Sequence, residues 1–237
     1  MAPSLATQID ALDWTQLDTD LDAYGAARTG PLLNAETCAQ LVGLYQEADR
    51  FRSRIVMRRH GFGEGEYQYF ANPLPPIVET LRERVYPHLA PLANRWAERL
   101  GWSRRYPDTL DDFLSECHAA GQLRPTPLLL TYGAGDYNRL HQDLYGEVHF
   151  PLQMVVLLSR PGADFEGGSF VLTEQKPRHQ SRAEVLDLAQ GEAAIFAVAQ
   201  RPGYGTRGPY KLVMRHGVSR ITSGARTTLG VIFHDAK

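Results

Sequence analysis

The chain has 237 residues, 43% hydrophobic and 22% charged, enough to build a core as one large or two small domains without disulfides or a structural metal. A formal net charge of −2 excludes recruitment of a polyanion by whole-molecule charge and leaves only local basic patches for that purpose. The two cysteines, Cys38 and Cys117, form no Cys-x-x-Cys pair, the N-terminus lacks a basic start and apolar block, and no apolar run reaches roughly eighteen residues. A cytoplasmic chain with no disulfide framework, signal peptide or membrane span is therefore expected.

Helical spacing comes first in the chain. Asn34 stands where it would cap a helix whose apolar positions are Cys38, Leu41, Val42, Tyr45 and Ala48. After Pro75 and Pro76, a second stripe runs through Ile77, Leu81, Val85, Leu89, Leu92, Trp96 and Leu100. Pro87 and Pro91 should break or kink this helix, and Gly101 suits its end. A third helix is predicted from Asp108 towards Gly121. Beyond Pro127 the texture changes to seven short apolar pieces separated by turn residues: LLLTYG, FPLQMVVLL, GGSFVL, AEVLDL, EAAIFAV, YKLVMRHGV and RTTLGVIF. These predict a jelly roll packed on the helices, a mainly β fold of the α+β kind. Residues 1–237 read as a single domain, with 1–125 a mainly helical support and 126–237 the jelly-roll core.

The segment RLHQDLYG places His141 and Asp143 two residues apart. In a strand, both side chains point to one face and Gln142 to the other. An imidazole and a carboxylate on one face supply two ligands of a facial triad, which leaves three cis positions of an octahedral iron open. A surface ion pair accounts for this spacing equally simply. His216, in KLVMRHGV, is the candidate for the third ligand, although alone it reads as a hydrogen-bonded strand histidine. Arg226 lies ten positions on (226 − 216 = 10) and shares a strand face with Thr228, so the pair offers a guanidinium fork and a hydroxyl to a carboxylate. The order carries more than any single residue: His-x-Asp, then His, then Arg-x-Thr, each on its own predicted strand.

With those residues in place, the segment from Pro127 onward resembles the 2-oxoglutarate- and iron(II)-dependent oxygenases of the double-stranded β-helix fold. The approach LLLTYGAGDYNRLHQD, the turn FEGGSF (Glu166, Gly167, Gly168), the strand GEAAIF and the closing RHGVSRITSGARTTLGVIFH carry the likeness. From about Arg52, including RHGFGEGEYQYF and RPTPLLL, the chain resembles one bacterial family of that superfamily, predicted to act on alkylated nucleic acid. The resemblance implies iron(II) held by His141, Asp143 and His216. It implies 2-oxoglutarate as co-substrate held by Arg226 with Thr228, and O2 as oxidant. Tyr132 falls where AlkB-type nucleic-acid demethylases place a co-substrate tyrosine. The implied reaction is oxidative hydroxylation, which on an N-methyl group releases formaldehyde. Three positions depart from the demethylase pattern. Leu130 replaces an Asn, Tyr145 an acidic residue used in reading the base, and Ile232 a second Arg.

Other features admit two readings each. Arg50, Arg52, Arg54, Arg58, Arg59 and His60 form a basic cluster, and Lys176, Arg178, His179 and Arg182 a second. Either positions phosphates or is a solvated face beside acids such as Glu64 and Glu66. Tyr67, Tyr69 and Phe70 could stack on a ring or fill core. The glycine- and proline-rich stretch from Arg201 to Tyr210 reads as a lid or an exposed connection. His149 and His234 read as structural, and His60, His88, His118 and His179 as surface or helix-end residues. The substrates consistent with this pattern are nucleic acid, a small metabolite or a protein side chain. The competing classes are a cupin-like zinc or nickel enzyme, which has no use for Arg226 with Thr228, and a barrel that binds without turnover.

Overall fold

The computed structural model of the chain describes residues 3–206 and 208–237. Its helices are α1 (Leu5–Asp10), α2 (Trp14–Tyr24), α3 (Ala35–Gly43), α4 (Pro76–Leu100) and α5 (Leu110–Ala119). The expected caps form. Asn34 accepts a hydrogen bond from Thr37 N at 2.8 Å, and Gly101 closes α4 in the left-handed conformation, its N–H directed at Ala97 O and Glu98 O.

Pro87 and Pro91 do not break α4, which runs unbroken for 25 residues. Both prolines sit on its solvent face, as does Glu83, one of the carbonyls left without an intrahelical donor. Water can serve these groups, while Val78, Leu81, Val85, Leu89, Leu92 and Trp96 hold the buried face. From that face Arg82 donates to Ile232 O (2.9 Å), Phe233 O (3.1 Å) and Asp235 Oδ1 (2.6 Å), tying the helix to the end of the chain. Tyr86, Phe113, Phe150 and Phe233 interlock beside it at centroid distances of 4.9–6.1 Å. A single apolar cluster extends from Ile9 to Phe233. Among the described residues no helix is long and apolar enough to cross a membrane.

The strands are β1 (Ala26–Pro31), β2 (Phe51–Val56), β3 (Gly63–Glu64), β4 (Glu66–Phe70), β5 (Leu128–Gly133), β6 (Tyr137–His141) and β7 (Leu152–Leu157). There follow β8 (Phe165–Gly167), β9 (Phe170–Gln175), β10 (Arg182–Leu186), β11 (Glu192–Ala197), β12 (Gln200–Gly205), β13 (Gly208–Val218) and β14 (Ile221–Val231). The larger sheet has the order β1-β11-β7-β14-β5-β4-β2, with β8 on β14. The smaller has the order β10-β9-β13-β6-β3, with β12 on β13. From β5 onward the chain passes repeatedly between the two sheets, which is the double-stranded β-helix the sequence implied.

Two expectations need correction. Four strands, β1 to β4, come from the part read as helical support and extend the sheets: β1 adds to β11, β4 to β5 with β2 beyond it, and β3 to β6. β2 is an edge strand carrying Arg52 and Arg54, a charge pattern that blunts an edge and hides the alternation. The stretch from Arg201 to Tyr210 is no free loop either. Apart from Arg207, which lies outside the described residues, it forms the hairpin of β12 and β13. Pro202 is tolerated because β12 is an edge strand, and Pro209 because it lies at the start of β13, before the part that pairs with β9. Arg201 is buried; it donates to Asp22 O and Ala23 O of α2 and pairs with Glu174, which fixes the hairpin to the body.

Candidate active site

β6 and β13 are neighbours, and their register sets His141 opposite His216. Gly217 permits the close approach, since a Cβ there would lie 2.7 Å from Asn138 O. Asp143 stands just past the end of β6 and turns to the same side as His141. Gln142 points away, its Nε2 donating to Ala199 O (3.0 Å) and Met214 O (2.8 Å). The potential ligand atoms of His141, Asp143 and His216 lie within 4.8 Å of one another. Nε2 of His141 is 3.3 Å from Asp143 Oδ1, and Nε2 of His216 is 3.3 Å from Asp143 Oδ2.

The donor set suits a divalent cation. Nδ1 of His141 lies 2.7 Å from Arg139 O, and a carbonyl only accepts, so this nitrogen carries a proton. Burial alone would lower the pKa of this imidazole, but Asp143 beside Nε2 raises it, and a metal taking the Nε2 lone pair would displace the proton held there. Burial would raise the carboxyl pKa of Asp143, but the two imidazoles hold it well below the usual range, so it stays ionised. Burial lowers the pKa of His216 and favours the neutral form that ligates. Phe170 and Phe196 pack on the His216 ring at 6.0 and 4.7 Å.

These three residues open on a cavity of about 200 Å³ that is also lined by the inner face of the larger sheet. Along that face β14 presents Arg226, Thr228 and Gly230 beside Tyr132, Leu130 and Leu128 of β5. Arg226 is only 2% exposed, and its Nε and Nη1 have no partner among the described residues. Burial draws its pKa down to about 10, so the guanidinium keeps its charge at neutral pH. The rings of Tyr132 and Phe165 flank it at 5.8 and 5.9 Å. Gly168 of the FEGGSF turn makes room for it, because a Cβ at that position would lie 2.9 Å from Arg226 Cδ. A buried cation with free N–H groups calls for an anionic ligand. The Tyr132 hydroxyl, 3.4 Å from Asn138 Nδ2, is held protonated by burial, which pushes its pKa up to about 12.

Three functional candidates escape the sequence. Asn138 and Gln153 line the cavity with amide oxygens that are buried and unpartnered, and Gln153 stands within the apolar run LQMVVL, where nothing but its polarity marks it. Tyr145 donates a 2.8 Å hydrogen bond to Asp143 Oδ1. The three departures from the demethylase pattern also meet: Leu130 and Tyr145 pack on one small apolar cluster of Tyr69, Leu128 and Ile232. Of these, Tyr69, Leu128, Leu130 and Tyr145 line the cavity with an apolar, aromatic wall. Tyr67 and Tyr69 belong to this wall, edge to face at 5.4 Å, whereas Phe70 is core.

The remaining histidines stay outside the metal set. His88 stacks on Trp14 at 4.2 Å and His118 lies 3.0 Å from Asp235. His234 accepts from Phe150 N, and burial, with His149 and Arg82 nearby, lowers its pKa to about 3. This last shift has a sign. Between roughly pH 6.5 and 3 the unfolded chain protonates this imidazole and the folded chain does not, so stability falls as pH falls through that window. Urea midpoints measured against pH should decline from about pH 6.5 downwards in the wild type and less steeply in His234→Leu. Identical slopes in the two proteins would contradict the assignment. Half of the first basic cluster is paired with acids: Arg50 with Glu47, Arg54 with Glu66 and Arg58 with Glu64. In the second, Lys176 lies over Tyr210 and Arg182 pairs with Glu174.

Comparison with known proteins gives consistent results. A family model described as an oxygenase catalysing oxidative methylation of damaged DNA matches residues 65–236. Uncharacterized proteins from two strains of Mycobacterium tuberculosis are 50% identical over 167 residues, 70% of this chain and 72% of theirs. Among solved structures, an oxidoreductase of the 2OG-Fe(II) oxygenase family from Burkholderia pseudomallei superposes with a TM-score of 0.56 at 14% identity, covering 94% of this chain and 91% of that one. A prolyl hydroxylase from Trichoplax adhaerens, solved with a hypoxia-inducible-factor peptide, gives 0.53 at 14% identity, covering 96% and 90%. At such identities these two show a shared fold.

Proposed function

The chain belongs to the family of oxygenases described as catalysing oxidative methylation of damaged DNA, and from that premise we propose that it is an iron(II)- and 2-oxoglutarate-dependent dioxygenase acting on alkylated nucleic acid. His141, Asp143 and His216 would hold the iron, and Arg226, with Thr228 and Tyr132, would hold the co-substrate. The observation that carries this reading is Arg226: a buried guanidinium with two unpartnered nitrogens, Nε and Nη1, in the same cavity as two imidazoles and a carboxylate. A zinc or nickel hydrolase offers no use for that cation.

Iron and 2-oxoglutarate, when bound, supply the oxidising power: O2 and 2-oxoglutarate are converted to succinate and CO2 while one oxygen atom enters a substrate C–H bond. The protein supplies placement. Arg226 presents a fork to the distal carboxylate of the diacid, and the Thr228 hydroxyl lies on the same strand face. Tyr132 keeps its proton and can donate beside them. Phe170 and Phe196 exclude water from one side of His216. At the other end, Tyr67 and Tyr69 give a planar group an aromatic wall. Hydroxylation of an N-methyl group there would yield formaldehyde and the free amine.

The test is succinate release with iron(II) and 2-oxoglutarate over N-methylated oligonucleotides, their unmethylated counterparts, amino acids and small acids. The reading expects methylated oligonucleotides to stimulate release, with formaldehyde formed in equal amount. Stimulation by amino acids or small acids alone would transfer the activity to another substrate class. Absence of succinate under every condition would remove the oxygenase assignment for this chain.

A further inference from the structure

The demethylase pattern puts an acidic residue two positions after the metal aspartate, and this chain has Tyr145 there. Its hydroxyl is 2.8 Å from Asp143 Oδ1, the hydrogen bond that a phenol makes to a carboxylate. The ring is held from behind, edge to face on Tyr69 at 6.5 Å and 89°, and Tyr69 in turn lies under the Arg52 guanidinium at 4.5 Å. Asp143 is 7% exposed, so water has little access to take the place of this donor. The two carboxylate oxygens are therefore unequal. Each oxygen faces one imidazole at 3.3 Å, Oδ1 that of His141 and Oδ2 that of His216, but Oδ1 alone also accepts from the Tyr145 hydroxyl.

We propose that Tyr145 is a positioning residue for Asp143. It occupies Oδ1 and fixes the carboxylate rotation, so that Asp143 offers a single oxygen to the cation. The proposal rests on reading His141, Asp143 and His216 as the iron site. Its consequence is specific. A carboxylate free to rotate can bind through both oxygens and take up a fourth position, whereas one-oxygen binding leaves three positions open, two for a chelating keto acid and one for O2. Because the hydroxyl proton is committed to Asp143, Tyr145 cannot donate to a substrate, and the buried amide oxygens of Gln153 and Asn138 are left as polar atoms of the cavity without a partner among the described residues.

The experiment is anaerobic calorimetric titration of iron(II) into metal-free wild type and Tyr145→Phe, which keeps the ring and its packing. Cobalt(II) visible spectra and metal-free melting temperatures are recorded on the same samples. Loss of a contact one shell beyond the metal weakens metal binding by roughly 10- to 100-fold. Tyr145→Phe should show a loss of that size and a changed cobalt(II) spectrum, with only the modest fall in metal-free melting temperature that loss of one hydrogen bond to a carboxylate brings. 2-Oxoglutarate should also bind the metal-loaded variant more weakly. Equal iron affinity and identical cobalt(II) spectra in the two proteins would overturn the role of Tyr145 and leave the iron site standing. So would a weakened iron(II) affinity with a cobalt(II) spectrum identical to that of wild type, which would mark a general loss of stability and not a repositioned carboxylate. A wild type that binds no iron(II) would instead remove the metal reading, and this proposal with it.

Discussion

Asp143→Ala should abolish tight iron(II) binding and, with it, succinate formation. The reasoning starts from charge. Asp143 is the single carboxylate of the set, ionised by its two imidazole neighbours, and two neutral imidazoles alone leave a divalent cation without a counter-charge. Contacts outside the metal's own shell already cost 10- to 100-fold when lost, so removal of a ligand should exceed a loss of about a hundredfold. The fold should survive. In metal-free protein the substitution removes a buried charge rather than creating an unpaired one, since His141 and His216 can both be neutral. Succinate release and iron affinity, measured beside the melting temperature of the metal-free variant, separate a lost ligand from a lost fold. Wild-type turnover by Asp143→Ala would refute the ligand assignment.

The second large effect is expected at Arg226. Its two unpartnered nitrogens, Nε and Nη1, would each make a charge-assisted hydrogen bond to a carboxylate, worth about 1.5–3 kcal/mol apiece. Arg226→Ala should therefore raise the 2-oxoglutarate requirement by about 10²- to 10⁴-fold, with a much smaller change in rate at saturation. Arg226→Lys should recover only part of the loss, because an ammonium on a flexible stem cannot reproduce the fork. Stability should move the other way. The free protein buries this guanidinium incompletely paired, so Arg226→Ala should be no less stable than wild type when metal and diacid are absent. An unchanged 2-oxoglutarate requirement in the variant would take the co-substrate out of this end of the cavity.

Much of the site was legible because strand alternation is a strict code. His141 and Asp143 fall two apart, as do Arg226 and Thr228, and the period of two sends each pair inward without knowledge of the partner strand. His216 was legible only through order along the chain; its meeting with His141 depends on a register that Gly217 permits and that no local pattern displays. Gln153 and Asn138 were hidden for a related reason. Each is a single amide on a strand whose inward face is decided by the opposite sheet. Tyr145 was visible as a departure from a pattern, but its bond to Asp143 depends on the turn the chain takes after β6.

The errors in the fold also have physical causes. Pro87 and Pro91 read as helix breakers because the rule counts lost hydrogen bonds; it does not count which side of the helix loses them, and here the solvent side does. β1 to β4 are short edge or near-edge strands whose charged and aromatic residues obscure alternation, and they owe their conformation to sheets already formed by the later strands. The β12–β13 hairpin carries the glycine and proline of a loop because an edge strand tolerates both. In each case local preference gave way to tertiary pairing.

Anaerobic addition of iron(II) and then 2-oxoglutarate to metal-free protein, followed in the visible spectrum, tests the central claim most directly. A diacid chelating an iron held by His141, Asp143 and His216 should give a weak charge-transfer band that saturates at one equivalent of each component, and the melting temperature should rise with it. A spectrum that stays featureless through both additions, with no rise in melting temperature, would contradict the account.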